Sequence, residues 1–571
     1  MQHRDGALSY GYLGTGNLGS VTAPAETLDF SYDGSLLTGV MWSGTVAGDV
    51  TAVYDNDFRV TELAVNGSTL ATLGYDGDGL LTQAGDLAIQ RDALNGRIDS
   101  TYLGTVTTGE AYDAFGQWAA RTARAGSTEL YRAEYTRDAL GRITGLLEVV
   151  EGDTTLFAYT YDDAGRLIEV RTNGVVTASY VYDDNGNRFS VTRPSGMVTG
   201  TYDAQDRLLS YAGATYGYTR AGELRFKAEG GDTTFYRYDA LGNLLEVNLP
   251  DGTDIEYIVD GFNRRVGKKV NGVLVQGFLY QDQLNPVAEL DGTGTVVSRF
   301  VYGTRANVPD YMIKGGVTYR IVADHLGSVR LVVRATDGVV VQRIAYDEFG
   351  RELMNTNPGL QPFGYAGGLT DGQTGLIRFG ARDYDPVSGR WTTKDPVRFA
   401  GQDTHLYSYV RDDPVNTVDI TGLQPRSLSS CVKEFISKFQ TDVFPDVDLD
   451  RIRIHVGEAF PWYVRMFATI EPSAFTFNYD IYFAEGAFQP GSASGVADLL
   501  HEIYHVQQYQ SNGPAIFAGM YLAEAARQWL WGRDPYWNNR FEIDAFQLER
   551  LFDRYIGGAY GQKGPCPGEC P

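Results

Sequence analysis

The stretch Tyr159-Thr160-Tyr161-Asp162-Asp163-Ala164-Gly165-Arg166-Leu167-Ile168-Glu169-Val170 decides the fold. Phe157 to Tyr161 is a short alternating run and reads as a strand. Asp-x-x-Gly-Arg then makes a tight turn: the Asp side chain satisfies turn amides and Gly165 supplies a positive φ. Leu167 to Val170 is a second strand and completes a hairpin. The unit recurs at Tyr32-Asp33, Tyr54-Asp55, Tyr75-Asp76, Tyr112-Asp113, Asp138, Tyr182-Asp183, Tyr202-Asp203 and Tyr238-Asp239, with a decayed copy at Asp260. A period of roughly 20 residues indicates an array, and a hairpin that buries little alone must stack beside its copies. Composition agrees: 68 Gly and 38 Tyr in 571 residues suit many strands joined by tight turns. Periodicity leaves two arrangements open, a surface solenoid or stalk and a sheet that curls around a space.

Charge narrows the functions. The chain carries 48 Lys+Arg against 72 Asp+Glu, a net −24, which argues against a general nucleic-acid binder or a protein held on anionic lipid. Three cysteines cannot staple a chain of this length, so burial must stabilise it. Cys566 and Cys570 read as free thiols at the C-terminal end, and Cys431 stands apart. The N-terminal residues lack the apolar core of a signal peptide, and no apolar run is long enough to span a bilayer. The chain reads equally well as a fragment of a longer protein.

These repeats resemble those of the Rhs/YD-repeat polymorphic toxins. Residues 319–423 resemble the Rhs-associated core that follows such repeats, through ADHLGSVRLVV (323–333), PFGYAGGLTDGQTGLIRFGARDYDPVSGRWTTKDP (362–396) and LYSYVRDDPVNTVDITGL (406–423). The resemblance implies a mostly β fold, a YD-repeat sheet spiralled into a hollow shell (cocoon), with residues 1–318 as the shell and 319–423 as the core. It also implies that the shell holds a C-terminal toxin and frees it by self-cleavage. In the family, an Arg-Asp pair and a second Asp about a dozen residues later form an aspartyl-protease-like centre. Here those positions are Arg382, Asp383 and Asp395, and the implied cut falls between Leu423 and Gln424. Two carboxylates set close together share a proton, so one activates water while the other protonates the carbonyl. The chain departs from the usual D-P-x-G-L ending with Ile420 in the Pro position, and has Arg398 where Gly is usual. The alternative for Asp383, Asp385 and Asp395 is a purely turn-shaping role.

The texture changes at Gln424, and residues 424–571 read as a small α+β domain. Arg451 to Val456 alternates like a strand, and Ala474 to Phe483 reads as a second, aromatic-rich one. Helices are expected over about Ser494 to Gln510, from Pro514 onward, and after the Asp534-Pro535 cap. The first carries His501-Glu502-Ile503-Tyr504-His505, an H-E-x-x-H run. Histidines four apart share one helical face, so both imidazoles can reach one tetrahedral Zn²⁺, with Glu502 beside them as general base. Leu499, Leu500 and Val506 are expected behind that face. A third ligand is needed, and Glu542 and Glu524 are the candidates. The tail is similar to zincin-like domains that recur in polymorphic toxins and phage-tail-like injection systems. Their downstream N-x-x-E-x-x-A element matches Asn539 to Ala545 and implies Glu542 as the ligand, with Glu524 as the alternative. Asp498 or Asp544 could orient a histidine, and Tyr536 could stabilise an oxyanion. The aromatic strand is a candidate edge for an extended peptide.

The expectation is therefore a toxin made in the bacterial cytoplasm and delivered by a specialised system. Its shell retains a cleaved zinc metallopeptidase, and its partners are that cargo, a protein or peptide substrate, an immunity protein and a secretion component, with no nucleic acid. A second reading is a structural or adhesive scaffold carrying an inactive or metal-stabilised zincin fold. A nuclease cargo fits poorly, because residues 424–571 hold 12 Lys+Arg against 18 Asp+Glu.

Overall fold

The computed structural model describes residues 2–3, 6–396 and 404–423. In the tail it describes 426–427, 436, 447, 449, 452–456, 474–477, 480–483, 493–512 and 545. Two compact units are present: Met1–Asp76, Leu80–Pro396 and Thr404–Gln424 make up one, and the remainder, chiefly Pro425–Pro571, the other.

The first unit is built on one antiparallel meander. From Ser9–Tyr12 to Glu352–Asn355, each strand pairs with the strand that follows it. The meander crosses residue 318 without a break, through Val317–Ala323, Val329–Arg334 and Val340–Tyr346. The boundary expected between 318 and 319 therefore falls inside a continuous sheet. Antiparallel order follows from the tight turns, which can only join neighbouring antiparallel strands.

The turns show why Tyr-Asp repeats. Asp162 Oδ1 accepts the amides of Ala164 at 3.0 Å and Arg166 at 2.9 Å, and its Oδ2 takes Arg166 Nε at 2.8 Å. Gly165 closes the turn at φ +85°. The next repeat's Tyr182 lays its ring 4.8 Å from that guanidinium and donates its hydroxyl to Leu167 O at 2.7 Å. Each Tyr thus fastens its own hairpin to the preceding one. The same pattern recurs at Asp55/Arg59 with Tyr75 and at Asp138/Arg142 with Tyr161. A register shift falls at the Tyr, as at Thr160/Tyr161, Val181/Tyr182 and Thr201/Tyr202. Bulges bend a strand and increase its twist, so a bulge in every repeat curls the sheet.

The curled sheet meets itself about two hundred residues later. Trp42 Nε1 lies 3.4 Å from Asp260 Oδ2, the Tyr311 hydroxyl 3.3 Å from Ala84 O, Thr105 N 2.7 Å from Ala335 O, and Arg330 2.6 Å from Glu148. Gly104, at φ +57°, sits where a Cβ would come within 2.3 Å of Ala335 O. Apolar clusters form between successive windings: Val21, Leu28, Trp42 and Val65 pack with Ile258, Phe278 and Leu279, and Val106, Tyr131 and Tyr180 with Val322, Leu331 and Phe349. The ribbon is thus spiralled, and the YD-repeat β-shell is the architecture of this unit.

After the meander, Leu369–Thr370, Ile377–Phe379, Arg382–Asp385 and Arg390–Trp391 form a four-stranded sheet. Phe379, Tyr384, Trp391 and Tyr409 pack around it as an aromatic cluster. This sheet and the segment after it are bonded to the ribbon by Arg390 to Asn187 at 3.0 Å, Tyr257 to Asp371 at 2.6 Å, and Ile143 N to Asn416 at 2.7 Å.

In the second unit the described strands run in the order Arg426–Ser427, Arg453–Val456, Asp480–Phe483, Ala474–Phe477, with only the middle pair parallel. The single strand expected over 474–483 is instead two antiparallel strands in which Phe477 pairs with Asp480. In the sequence, Asn478 and Asp480 are polar breaks in the otherwise apolar run. The helix Ala493–Asn512 lies against Ala474–Phe477. The expected linker after Gln424 (apart from Arg426 and Ser427), the two later helices (apart from Ala545, which is helical and buried), Arg398, Glu524, Tyr536, Asn539, Glu542, Asp544 and the three cysteines lie outside the described residues. Among the described residues no helix is long and apolar enough to cross a membrane.

Candidate functional site

Two sites were expected, one in each unit. In the first, Arg382 and Asp383 are consecutive on a strand, so their side chains leave opposite faces. Arg382 is 1% exposed. Its Nη2 lies 2.8 Å from Asp395 Oδ2 and 3.1 Å from Asp419 Oδ2, its Nε donates to Gly422 O, and its guanidinium lies 4.1 Å from the centre of the Trp391 ring. Asp419 Oδ1 accepts the Leu423 amide at 3.1 Å. The Thr421 hydroxyl sits 3.1 Å from Asp419 Oδ1 and 3.0 Å from the Leu423 carbonyl oxygen. Ala381 N holds Thr421 O at 2.8 Å. Gly422, at φ +68°, is pressed so close to this strand that a Cβ would meet Phe379 O at 2.4 Å.

Arg382, Asp395 and the acyl side of the expected cleavage bond are therefore brought together. Gln424 itself lies outside the described residues. Asp383 does not join them. Its Oδ1 pairs with Arg265 at 2.8 Å and its Oδ2 with Arg378 at 3.0 Å, and it is 1% exposed. The expected Asp383/Asp395 pair is thus replaced by an Asp395/Asp419 pair that shares one guanidinium. The reason is strand alternation, which turns Asp383 away from the face that Arg382 presents. The sequence marks Asp419 only as the first residue of the terminal motif. Its signal was local: an Asp four residues before Leu423, with a Gly between, repeats the amide-capping pattern of the YD turns. Asp385 shapes a turn, accepting Val387 N at 3.0 Å and the Ser388 hydroxyl at 2.8 Å.

In the second unit, Ala493–Asn512 buries Leu499, Leu500 and Val506 completely, as the helical spacing predicts. His501 and His505 are buried on the same helix with their Nε2 atoms 3.2 Å apart. Two nitrogens bound to one tetrahedral zinc at about 2.0–2.1 Å lie about 3.3 Å apart, so this pair fits a shared ion. His505 Nδ1 is 2.8 Å from Gln508 Oε1, a contact that fixes the ring. The sequence points to Asp498 or Asp544 for such a role; Asp498 is exposed, and the described partner of His505 Nδ1 is Gln508. Glu502 is buried and takes the Thr476 hydroxyl on Oε2 at 2.7 Å, which ties the expected base to Ala474–Phe477. That strand is one of the two outer strands of the described sheet. Among the described residues no third ligating side chain joins the two histidines.

Residues 2–415 match the Teneurin YD-shell family. The chain belongs to that family. Residues 437–513, which include the H-E-x-x-H helix, match the eCIS core domain. Mouse Teneurin-4 is 30% identical over 389 residues, 64% of this chain and 14% of that protein. Chicken Teneurin-1 is 26% identical over 458 residues, 76% of this chain and 16% of that protein. The tRNA3(Ser)-specific nuclease WapA of Bacillus spizizenii is 27% identical over 309 residues, 49% of this chain and 11% of that protein. The YD-shell chain thus spans a small part of these relatives' length. Among solved structures, the TcdB2-TccC3-Cdc42 crystal structure shares the fold at a TM-score of 0.56 and 15% identity, covering 73% of this chain and 25% of that one. The Photorhabdus luminescens Tc holotoxin pore gives 0.55 and 15%, covering 73% and 24%.

Proposed function

We propose that this YD-shell is the scaffold of a delivered bacterial toxin, which encloses the C-terminal unit and cuts it free between Leu423 and Gln424. The observation that carries this reading is the docking of the partly buried Asp419–Leu423 on Arg382, with Asp395 and Asp419 on one guanidinium and a hydroxyl on the Leu423 carbonyl. Similarity to the WapA nuclease and to Tc toxin structures supports a toxin scaffold. Enclosure retains a cut domain without requiring tight affinity, because confinement keeps its local concentration high.

The cargo we propose is a zinc peptidase. His501, His505 and Glu542, or Glu524 in its place, would hold the metal. Zinc there would polarise a peptide carbonyl and acidify water. Glu502, oriented by Thr476, would accept the proton, and the outer strand Ala474–Phe477 would pair with an extended substrate. A nuclease cargo, the activity in WapA's name, is disfavoured by the acidic balance of residues 424–571. An immunity protein and a secretion-system component complete the partners proposed.

Metal analysis and peptide cleavage test the cargo. The expected outcome is one zinc per chain, lost in His501→Ala. Glu502→Gln keeps the zinc and loses the new termini that the released tail generates in a proteome; a chelator removes the zinc and loses them as well. Metal-free wild type, or cleavage unaffected by Glu502→Gln, contradicts the peptidase.

A further inference from the structure

The proposed self-cleavage needs more than two carboxylates. Amide hydrolysis builds negative charge on the carbonyl oxygen, and a donor aimed at that oxygen is worth a large part of the rate. Asp395 contacts Arg382, and Asp419 contacts the Leu423 amide and Arg382. The Thr421 hydroxyl lies on the Leu423 carbonyl oxygen, at 3.0 Å. That hydroxyl also lies 3.1 Å from Asp419 Oδ1 and 3.1 Å from the Leu423 amide nitrogen. It has one proton and two oxygens within reach to donate it to. Its backbone is fixed on both sides, by Ala381 N on Thr421 O and by the tight packing of Gly422. A hydroxyl held in this way between an acid and a carbonyl is positioned as a relay.

We infer that Thr421 is a catalytic residue of the self-cleavage, passing a proton from Asp419 to the Leu423 carbonyl oxygen; this rests on the self-cleavage proposed above. In the step, water oxygen bonds to the Leu423 carbonyl carbon and gives a proton to Asp395. Thr421 Oγ1 gives its proton to the carbonyl oxygen and regains one from Asp419. The Leu423–Gln424 C–N bond then breaks as Asp395 passes its proton to the Gln424 nitrogen, one hydroxyl of the diol returns its proton through Thr421 to Asp419, and Leu423 is left as a carboxylic acid. One water is consumed, and no oxidant or reductant is needed. The residue that donates to the carbonyl thus lies two residues before the cut bond, on the strand that is cut, and stays with the shell afterwards.

The test is the rate at which the 424–571 fragment appears after cell-free synthesis of the full chain, in wild type, Thr421→Val, Thr421→Ser and Asp419→Asn. Thr421→Val, nearly isosteric, is expected to slow cleavage by about 100-fold. Thr421→Ser is expected to recover most of that loss, and Asp419→Asn to stay uncut. Melting of the uncut Asp395→Asn chain with and without Thr421→Val controls for folding, and no shift is expected. Thr421→Val cleaving within about threefold of wild type, or Thr421→Ser as slow as Val, overturns the relay while self-cleavage stands. Wild type that stays whole overturns the self-cleavage reading and the relay with it.

Discussion

A carboxylate clamped by two guanidinium groups does a different job from one that shares a guanidinium with a second carboxylate. Asp383 is of the first kind, between Arg265 and Arg378, and Asp395 of the second, with Asp419 on Arg382. Removing the charge of Asp383 leaves two buried cations facing each other, and breaking such a pair costs about 3–5 kcal/mol. Asp383→Asn is therefore expected to lower the melting temperature of the chain while molecules that fold still cleave. Asp395→Asn is expected to do the reverse, and calorimetry with gel analysis separates the two. The sequence made Arg382, Asp383 and Asp395 visible as candidates. It did not make their faces visible, because parity along Arg382–Asp385 matters only once the position of Asp395 is known. Asp419 was hidden for a related reason: its partner Arg382 is 37 residues away.

At the scale of elements, the repeat was legible because everything it needs is local. Asp162, Gly165, Arg166 and the strands on either side lie within a dozen residues and fix one another. Asp162→Ala removes the acceptor of two amides and the partner of Arg166. The amides of Ala164 and Arg166 are expected to exchange with solvent at least tenfold faster, with little change in the other repeats, because repeat arrays couple chiefly to nearest neighbours. Exchange read by mass spectrometry checks this, and uniform acceleration across all repeats contradicts it. The Ala493–Asn512 helix was equally legible from its apolar spacing. The hairpin at 474–483 was not, since Phe475, Phe477, Tyr482 and Phe483 make a long run in which two polar residues carry little weight.

For the whole molecule, strand order follows from the turns, whereas the winding does not, because it depends on a bulge in each repeat and on contacts such as Trp42 with Asp260. Glu26 lies at such a meeting of windings. Burial pushes its carboxyl up to about 7, against the amides of Val46 and Thr45, with Asp260 adding to the rise. Below about 4.5 the group is protonated folded or unfolded, so it contributes nothing to pH dependence there. Between that pH and about 7 the unfolded chain releases a proton that the folded chain keeps, so stability falls as pH rises, and the loss is complete above about 7. Glu26→Gln is expected to flatten the melting temperature across that window, and an unchanged slope contradicts the assignment. The central claim, a YD-shell that severs its own tail, is tested most directly by intact-mass and N-terminal analysis of the purified full chain. The account predicts a fragment that begins at Gln424 in wild type and a single uncut chain in Asp395→Asn. A wild-type chain that stays whole, or a cut at another bond, contradicts it.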